Sequence, residues 1–282
     1  MRIVIKFAGA LLEDSATIQS LSQHVANLAR HGHEILVIHG GGRLFTATLK
    51  RLGIESKFVS GLRITDRDTR DAAVMVFGGL LNKRLAAAIT AAGQPAVGIS
   101  AADGACFSAA PLVHNDVEGS LGFVGYLTDV KVSFLESLWR ENLLPVAACL
   151  GQDAKGELYN INADHMAAAC AEFIGADHLI YLTDVAGVLH GENVISAISW
   201  EQIENLVQTR VVSGGMVLKL EAAKRALEGG VREVHIVGGD SAAAVLEPQL
   251  FAGGPDKNSF SSLPGTRVLR PSPAGLASQA FV

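Results

Sequence analysis

Four short segments place charged or amide side chains where glycine lets backbone come close. Lys6, in Ile5-Lys6-Phe7-Ala8-Gly9-Ala10, interrupts an apolar strand-like run. A buried lysine without a partner is costly, so Lys6 is expected to meet an anion. His39-Gly40-Gly41-Gly42 stands directly before a helical segment. Three glycines let N–H groups approach an anion closely, and the helix start adds its dipole. Asn160-Ile161-Asn162-Ala163-Asp164 brings two amides and a carboxylate to the start of an Ala-rich helix, and Ser213-Gly214-Gly215-Met216-Val217-Leu218-Lys219 opens another helix with a lysine one turn in. Each segment alone has an ordinary reading: a tight turn, an edge lysine, a pair of helix caps, a solvated lysine. Together they supply two lysines and one carboxylate around a polyphosphate, with glycine backbone at two junctions. That set suits phosphoryl transfer, which needs positioning and neutralisation of spreading charge. The usual phosphate motifs are absent, because no lysine follows a glycine and Phe45 breaks G-x-G-x-x-G.

The elements that must hold these residues alternate. Arg2 to Phe7, Glu34 to His39, Ala96 to Ser100, Leu144 to Leu150, Leu179 to Thr183 and Glu233 to Gly238 are short apolar runs that predict buried strands. Between them, 15–31, 44–52, 66–92, 130–141, 163–174 and 216–228 carry apolar residues at helical spacing. The alternation predicts an α/β fold with an open, mainly parallel sheet sandwiched by helices. In such sheets ligands bind where strands end and helices begin, which is where the glycine turns fall. Asp14, Ser15, Thr65 and Asp66 are candidate helix caps, and Gly32 a stop. Two stretches break the rhythm: Ala105 to Tyr126, with Asn115-Asp116 and Gly119, and Gly151 to Tyr159. Both are expected to be hairpins over the site. The tail from Arg270 to Val282, with Pro271, Pro273 and Gly275, is expected to be loosely held.

The chain has 282 residues, room for one large domain or two lobes, with 30 glycines. A net charge of −5 gives the surface no reason to seek nucleic acid or anionic membrane, so any bound anion must be met locally. Cys106, Cys149 and Cys170 are odd in number and far apart, which disfavours disulfides and a zinc site. Met1-Arg2 runs straight into apolar residues without a signal-like start, and no apolar run is expected to reach a membrane span, so the expected location is the cytoplasm.

The chain resembles the amino-acid kinase family, and within it the branch acting on N-acetyl-L-glutamate. The resemblance rests on Lys6 to Gly9, His39 to Gly42, Ser60-Gly61-Leu62-Arg63-Ile64-Thr65, Asn160 to Asp164, Leu182-Thr183-Asp184-Val185-Ala186-Gly187, Gly215-Met216 with Lys219, and Gly265-Thr266-Arg267, collinear from residue 1 to about 269. It implies transfer of the γ-phosphoryl group of ATP, with Mg2+ bound through the phosphates, to the side-chain carboxylate of N-acetyl-L-glutamate, a step of arginine synthesis. That nucleophile is ionised near neutrality, with a reference pKa of about 4.3, so no general base is needed.

By this resemblance Lys6 and Lys219 stabilise the transferring group and Asp164 holds both ammonium groups. Gly9, Gly41 and Gly42 supply backbone donors, Arg63 grips the α-carboxylate, and Asn160 meets the acylated amino group. Leu182, Thr183, Asp184, Val185, Ala186 and Gly187, with Val211, Val212, Ser213, Gly214 and Gly215, form the nucleotide side. No protein metal ligand is implied. A substrate and dimerisation lobe would span 1–175, a nucleotide lobe 176–269 and a tail 270–282, in a homodimer joined through the Asp66 to Ala92 helix. Ala8 departs from the family's K-x-G-G, where a glycine is usual. Two rivals stay open: a kinase for N-succinylglutamate or carrier-bound acetylaminoadipate, and a non-catalytic amino-acid sensor. Val113-His114-Asn115-Asp116-Val117-Glu118 is not basic, which disfavours an acidic carrier, and retention of Lys6, Asp164 and Lys219 disfavours the sensor.

Overall fold

A computed structural model describes residues 1–113, 121–251 and 263–271. Eight strands form its central sheet: β1 (Arg2–Phe7), β2 (Glu34–His39), β3 (Ala96–Ile99), β4 (Leu144–Ala148), β5 (His178–Thr183), β6 (Ala197–Ser199), β7 (Glu233–Gly238) and β8 (Thr266–Leu269). Their spatial order is β6-β8-β7-β5-β1-β2-β4-β3, and every pair is parallel except β7 with β8. All six predicted strands are present. The Leu144 to Leu150 run ends its sheet strand at Ala148 and continues as Leu150–Gln152 in a different sheet. The sheet's middle strands are buried almost throughout, as an apolar run covered on both faces requires.

The covering helices are α1 (Ser15–Arg30), α2 (Gly42–Arg51), α3 (Arg67–Ala91), α4 (Val132–Arg140), α5 (Ala163–Phe173), α6 (Gln202–Gln208) and α7 (Gly215–Glu228). Six match the periodic segments within two residues at each end. The exception is α6, too short to show a period. Asp14 accepts the Thr17 N–H at 2.7 Å and Asp66 the Thr69 N–H at 2.8 Å, so both act as N-caps. The middle of α3 widens into a π-helical stretch, Val74–Leu81, a geometry that costs regular packing and recurs at functional sites.

Alternation along the strands decides which helix serves which face. Phe7 pairs with His39, so Lys6 and His39 point to opposite sides of the sheet. Lys6 meets Asp164 of α5 on one side, and His39 meets Asn82 of α3 on the other.

The two expected hairpins form together. Phe107–Pro111 pairs antiparallel with Val124–Val130, Leu150–Gln152 pairs antiparallel with Leu158–Ile161, and the four strands close into a small barrel. Buried Arg70 of α3 ties it down, pairing with Glu157 and lying 4.5 Å over the Phe123 ring. His114 to Ser120, including Asn115, Asp116 and Gly119, lie outside the described residues, as does the tail from Ser272 with Pro273 and Gly275.

Two expectations concern composition. The three cysteines are free and buried, and burial pushes Cys106 and Cys149 up to about 12. The expectation that no apolar run approaches membrane-spanning length concerns uninterrupted runs, and Asn82-Lys83-Arg84 break the longest one in α3. By length and composition α3 as a whole is long and apolar enough to span a membrane, because Lys83 and Arg84 are the only charges in its last twenty residues. Half of that apolar window is buried, the packing of a core helix.

Candidate active site

The carboxyl edge of the sheet gathers the predicted residues. Lys6 lies in β1, and Asp164 sits in the first turn of α5, whose N-cap Asn162 accepts N–H groups from Asp164 and His165 at 2.9 and 3.1 Å. Lys219 sits in α7, one turn beyond the Gly214-Gly215 opening. Lys6 Nζ and Lys219 Nζ approach the same oxygen, Asp164 Oδ1, at 2.7 and 2.8 Å. Both lysines are more than nine-tenths buried.

Burial alone would raise the Asp164 carboxyl. The Lys6 and Lys219 charges outweigh it and hold the group well below the usual carboxylate range. Lys219 is pulled down to about 8 by burial, then by repulsion from Lys6, with Asp164 opposing. The triad thus carries one more positive than negative charge in a nearly dry setting, which favours an incoming anion.

Tyr181, fully buried in β5, is the register partner of Lys6. Its hydroxyl donates to the Asp164 carbonyl at 3.0 Å, and its ring lies 4.8 Å beneath Lys219 Nζ. Sequence reading missed Tyr181. A tyrosine in the otherwise aliphatic run Leu179-Ile180-Tyr181-Leu182 was the available signal, but strand register was needed to place it.

The two glycine turns touch. A Cβ on Gly9 would lie 2.8 Å from Gly42 N, and a Cβ on Gly41 would lie 2.1 Å from Leu81 Cδ1. Ala8 has φ −66° and ψ 144°, extended backbone open to any residue, and its N–H bonds Leu182 O at 2.9 Å. The departure from K-x-G-G therefore needs no backbone that glycine alone can adopt.

Gly42, Arg63 and Asn160 line one cavity of about 150 Å3 with Phe45, Phe77 and Asn162. Arg63 is held from several directions. Its guanidinium donates to Thr46 Oγ1 at 2.7 Å and to Ser56 Oγ, and lies 4.9 and 4.4 Å over the Phe45 and Phe58 rings. The Asn160 amide donates to Thr65 Oγ1 at 3.2 Å, and that hydroxyl donates to Arg63 O at 2.9 Å. Buried Thr65 thus links the two residues that face the cavity. The aromatic rings and the Thr65 link escaped sequence reading, since Phe45 and Phe77 are indistinguishable from core residues by spacing.

The segments 182–187 and 211–215, expected on the nucleotide side, do not line that cavity. Leu182 and Thr183 end β5 next to β1 and are buried, while Asp184, Val185 and Ala186 are exposed. Buried Gly187 packs on Thr266, where a Cβ would lie 2.8 Å from Oγ1. Val211 to Gly215 lead directly into α7, Val212 is buried, and Gly214 takes φ +56°, which favours glycine. At the opposite edge, His178, Glu233 and His235 bring potential metal-ligand atoms within 4.8 Å of one another, His235 Nε2 standing 3.2 Å from Glu233.

A mainly parallel sheet whose carboxyl edge holds two lysines on one carboxylate beside two glycine turns is a framework suited to phosphoryl transfer. Residues 1–238 match the amino acid kinase family, and the chain belongs to that family. It is 49% identical over 253 residues to the acetylglutamate kinase of Koribacter versatilis (strain Ellin345), covering 89% of this chain and 95% of that protein. It is 43% identical over 243 residues to the acetylglutamate kinase of Acidobacterium capsulatum, covering 86% and 92%. Among solved structures, the chain superposes on N-acetylglutamate synthase from Neisseria gonorrhoeae with TM-score 0.81 at 23% identity, covering 96% of this chain but spanning only 60% of that one. Carbamate kinase from Giardia lamblia follows at TM-score 0.66 and 14% identity, over 96% and 98%. These two likenesses speak for the fold alone.

Proposed function

We propose that the protein is an acetylglutamate kinase, transferring the γ-phosphoryl group of ATP to the side-chain carboxylate of N-acetyl-L-glutamate in arginine synthesis. The observation that carries this reading is the pair of buried lysines on Asp164 Oδ1, set on the same sheet edge as the Arg63 and Asn160 cavity. The high identity to acetylglutamate kinases over most of both chains supports the choice of acceptor.

The mechanism follows from charge. Arg63 grips the α-carboxylate of the acceptor with the N–H groups that Thr46 and Ser56 leave over, and the ring faces of Phe45 and Phe58 fix its plane. Asn160 accepts from the acylated amide N–H, its own NH2 being turned to Thr65. The side-chain carboxylate then attacks the γ-phosphorus in line. A carboxylate oxygen–phosphorus bond forms, the bond from phosphorus to the bridging oxygen breaks, and ADP leaves with that electron pair. Lys6 and Lys219, both held in place by Asp164, neutralise the charge that spreads over the phosphoryl oxygens, and the N–H groups of Gly9, Gly41 and Gly42 donate to the same oxygens. The segments 182–187 and 211–215 take the nucleotide.

The donor set fits a triphosphate, being cationic and rich in free backbone turns. Its inner carboxylate, Asp164, is occupied by both lysines, while the exposed Asp184 stands in the nucleotide segment. Magnesium would be held chiefly through the phosphates, where it would supply charge neutralisation. The same reading assigns 1–175 to the acceptor and 176–269 to the nucleotide, with 270–282 a tail, and places the enzyme in the cytoplasm. It pairs two chains through α3, where Met75 and Leu80 are 58% and 41% exposed.

Hydroxylamine trapping tests the reaction. Full-length protein with MgATP and N-acetyl-L-glutamate should yield a hydroxamate from the acyl phosphate. No hydroxamate while ATP still binds would overturn the reading and favour a sensor, and faster trapping with N-succinylglutamate would reassign the acceptor.

A further inference from the structure

On the face of the sheet away from the triad, a chain of hydrogen bonds reaches the glycine turn from behind. Asn82, fully buried in α3, donates from Nδ2 to Val146 O at 2.8 Å, and the same nitrogen lies 3.2 Å from His39 Nε2 and 3.4 Å from Ile99 O, so the nearer acceptor His39 Nε2 takes the larger share of its second proton. Lys83 Nζ donates to Asn82 Oδ1 at 3.2 Å and to Gly98 O at 2.6 Å. The amide can face only one way. Reversed, it would set its NH2 against an ammonium and its carbonyl against the Val146 carbonyl.

That orientation fixes the imidazole. Nε2 must be the acceptor, so the ring proton sits on Nδ1, which lies 3.1 Å from Gly40 O and donates to it. The other tautomer would put two lone pairs face to face. His39 is fully buried, and burial pulls it down to about 4, so near neutrality it is uncharged and has a single proton to place.

We propose that Asn82, acting through the His39 tautomer, aims the Gly40–Gly41 peptide and is a positioning residue for the phosphoryl-binding turn. The peptide is planar and trans, so a Gly40 carbonyl turned back to His39 turns the Gly41 N–H the opposite way. This inference rests on the functional reading above, in which that N–H is a donor to the reacting groups. The same helix closes the other side of the turn, because Leu81 and Phe77 occupy the space a Cβ on Gly41 would need.

The test uses full-length protein with 15N-labelled histidine and steady-state kinetics. Wild type should show His39 protonated on Nδ1 alone, identified by its loss in His39→Gln. An Nε2-protonated His39 in wild type overturns the proposal without any variant. Asn82→Ala frees the tautomer, and Asn82→Asp keeps the volume while drawing a proton to Nε2. Both should lower kcat about 10- to 100-fold, less than deleting an oxyanion donor, with KM values for both substrates within about threefold. A changed tautomer with unchanged kcat, or a kcat loss that only follows the folded fraction by circular dichroism, overturns it. Wild type inactive on N-acetylglutamate would sink the functional reading alone, since the tautomer still reports on the relay.

Discussion

Gly9 stands against Gly42 so closely that a Cβ on the first would lie 2.8 Å from the backbone nitrogen of the second. The obstacle is backbone, so it cannot rotate aside. The two turns that would cradle the transferring phosphoryl group are therefore packed on each other. Gly9→Ala should push them apart, cost about 1–3 kcal/mol of stability as overpacking, and misplace the N–H donors. We expect kcat to fall at least about 100-fold by coupled assay, the scale of losing an oxyanion donor. Ala8→Gly, at an ordinary extended conformation, should stay within about threefold of wild type. Equal effects of the two changes would sink this account of the turn.

Most of the sheet was legible because its strands are short, β-branched and closed by turn residues, and because the helices that cover it, α6 apart, show a clean period. The barrel was harder to read. Its strands run from three residues, in Leu150–Gln152, to seven, in Val124–Val130, and nothing local says that two hairpins will close on each other. Lys6, Asp164 and Lys219 stood out because charge in an apolar setting is costly. Tyr181 and Asn82 did not, nor did the role of Thr65 beyond a cap, because each acts through a partner distant in sequence: Tyr181 by register with Lys6, Thr65 through Asn160, Asn82 through His39.

Lys219 gives the reaction a basic limit. Burial and the Lys6 charge lower it to about 8 in the free protein, so its ammonium form is lost above that pH. The profile of kcat/KM reports the free enzyme and should fall above about pH 8. Bound triphosphate adds negative charge beside Lys219 and favours its protonated form, so the basic limb of kcat should lie at higher pH. Two limbs at the same pH, measured over matched buffers, would count against Lys219 as the titrating group.

Asp164→Asn changes the volume little but leaves two buried ammonium groups facing each other without their shared anion. Removing one partner from a buried ion network costs about 3–5 kcal/mol, and urea unfolding should show a loss of that size. Turnover should drop with it, and phosphate should raise the melting temperature of the variant more than that of wild type, by filling the site with an anion. Unchanged stability in Asp164→Asn would mean the lysines do not depend on this carboxylate.

Arg63 is the residue on which acceptor recognition turns, and its environment says why lysine cannot replace it. A planar cation lies over the Phe45 and Phe58 rings while Thr46 and Ser56 take two of its N–H directions. Its remaining N–H groups are left for a carboxylate in the cavity that Arg63 lines with Asn160. An ammonium has neither the plane nor the fork. Arg63→Lys should raise KM for N-acetylglutamate about 10- to 100-fold, the weight of a charge-assisted bidentate contact, while leaving KM for ATP unchanged. Phe58 is 56% exposed and covers only one face of the guanidinium, so Phe58→Ala should raise the acceptor KM by about two- to fivefold, the worth of an exposed cation–π contact. Initial-rate kinetics with each substrate varied separates the two constants, and an ATP constant that moves as far as the acceptor constant would remove Arg63 from the acceptor site.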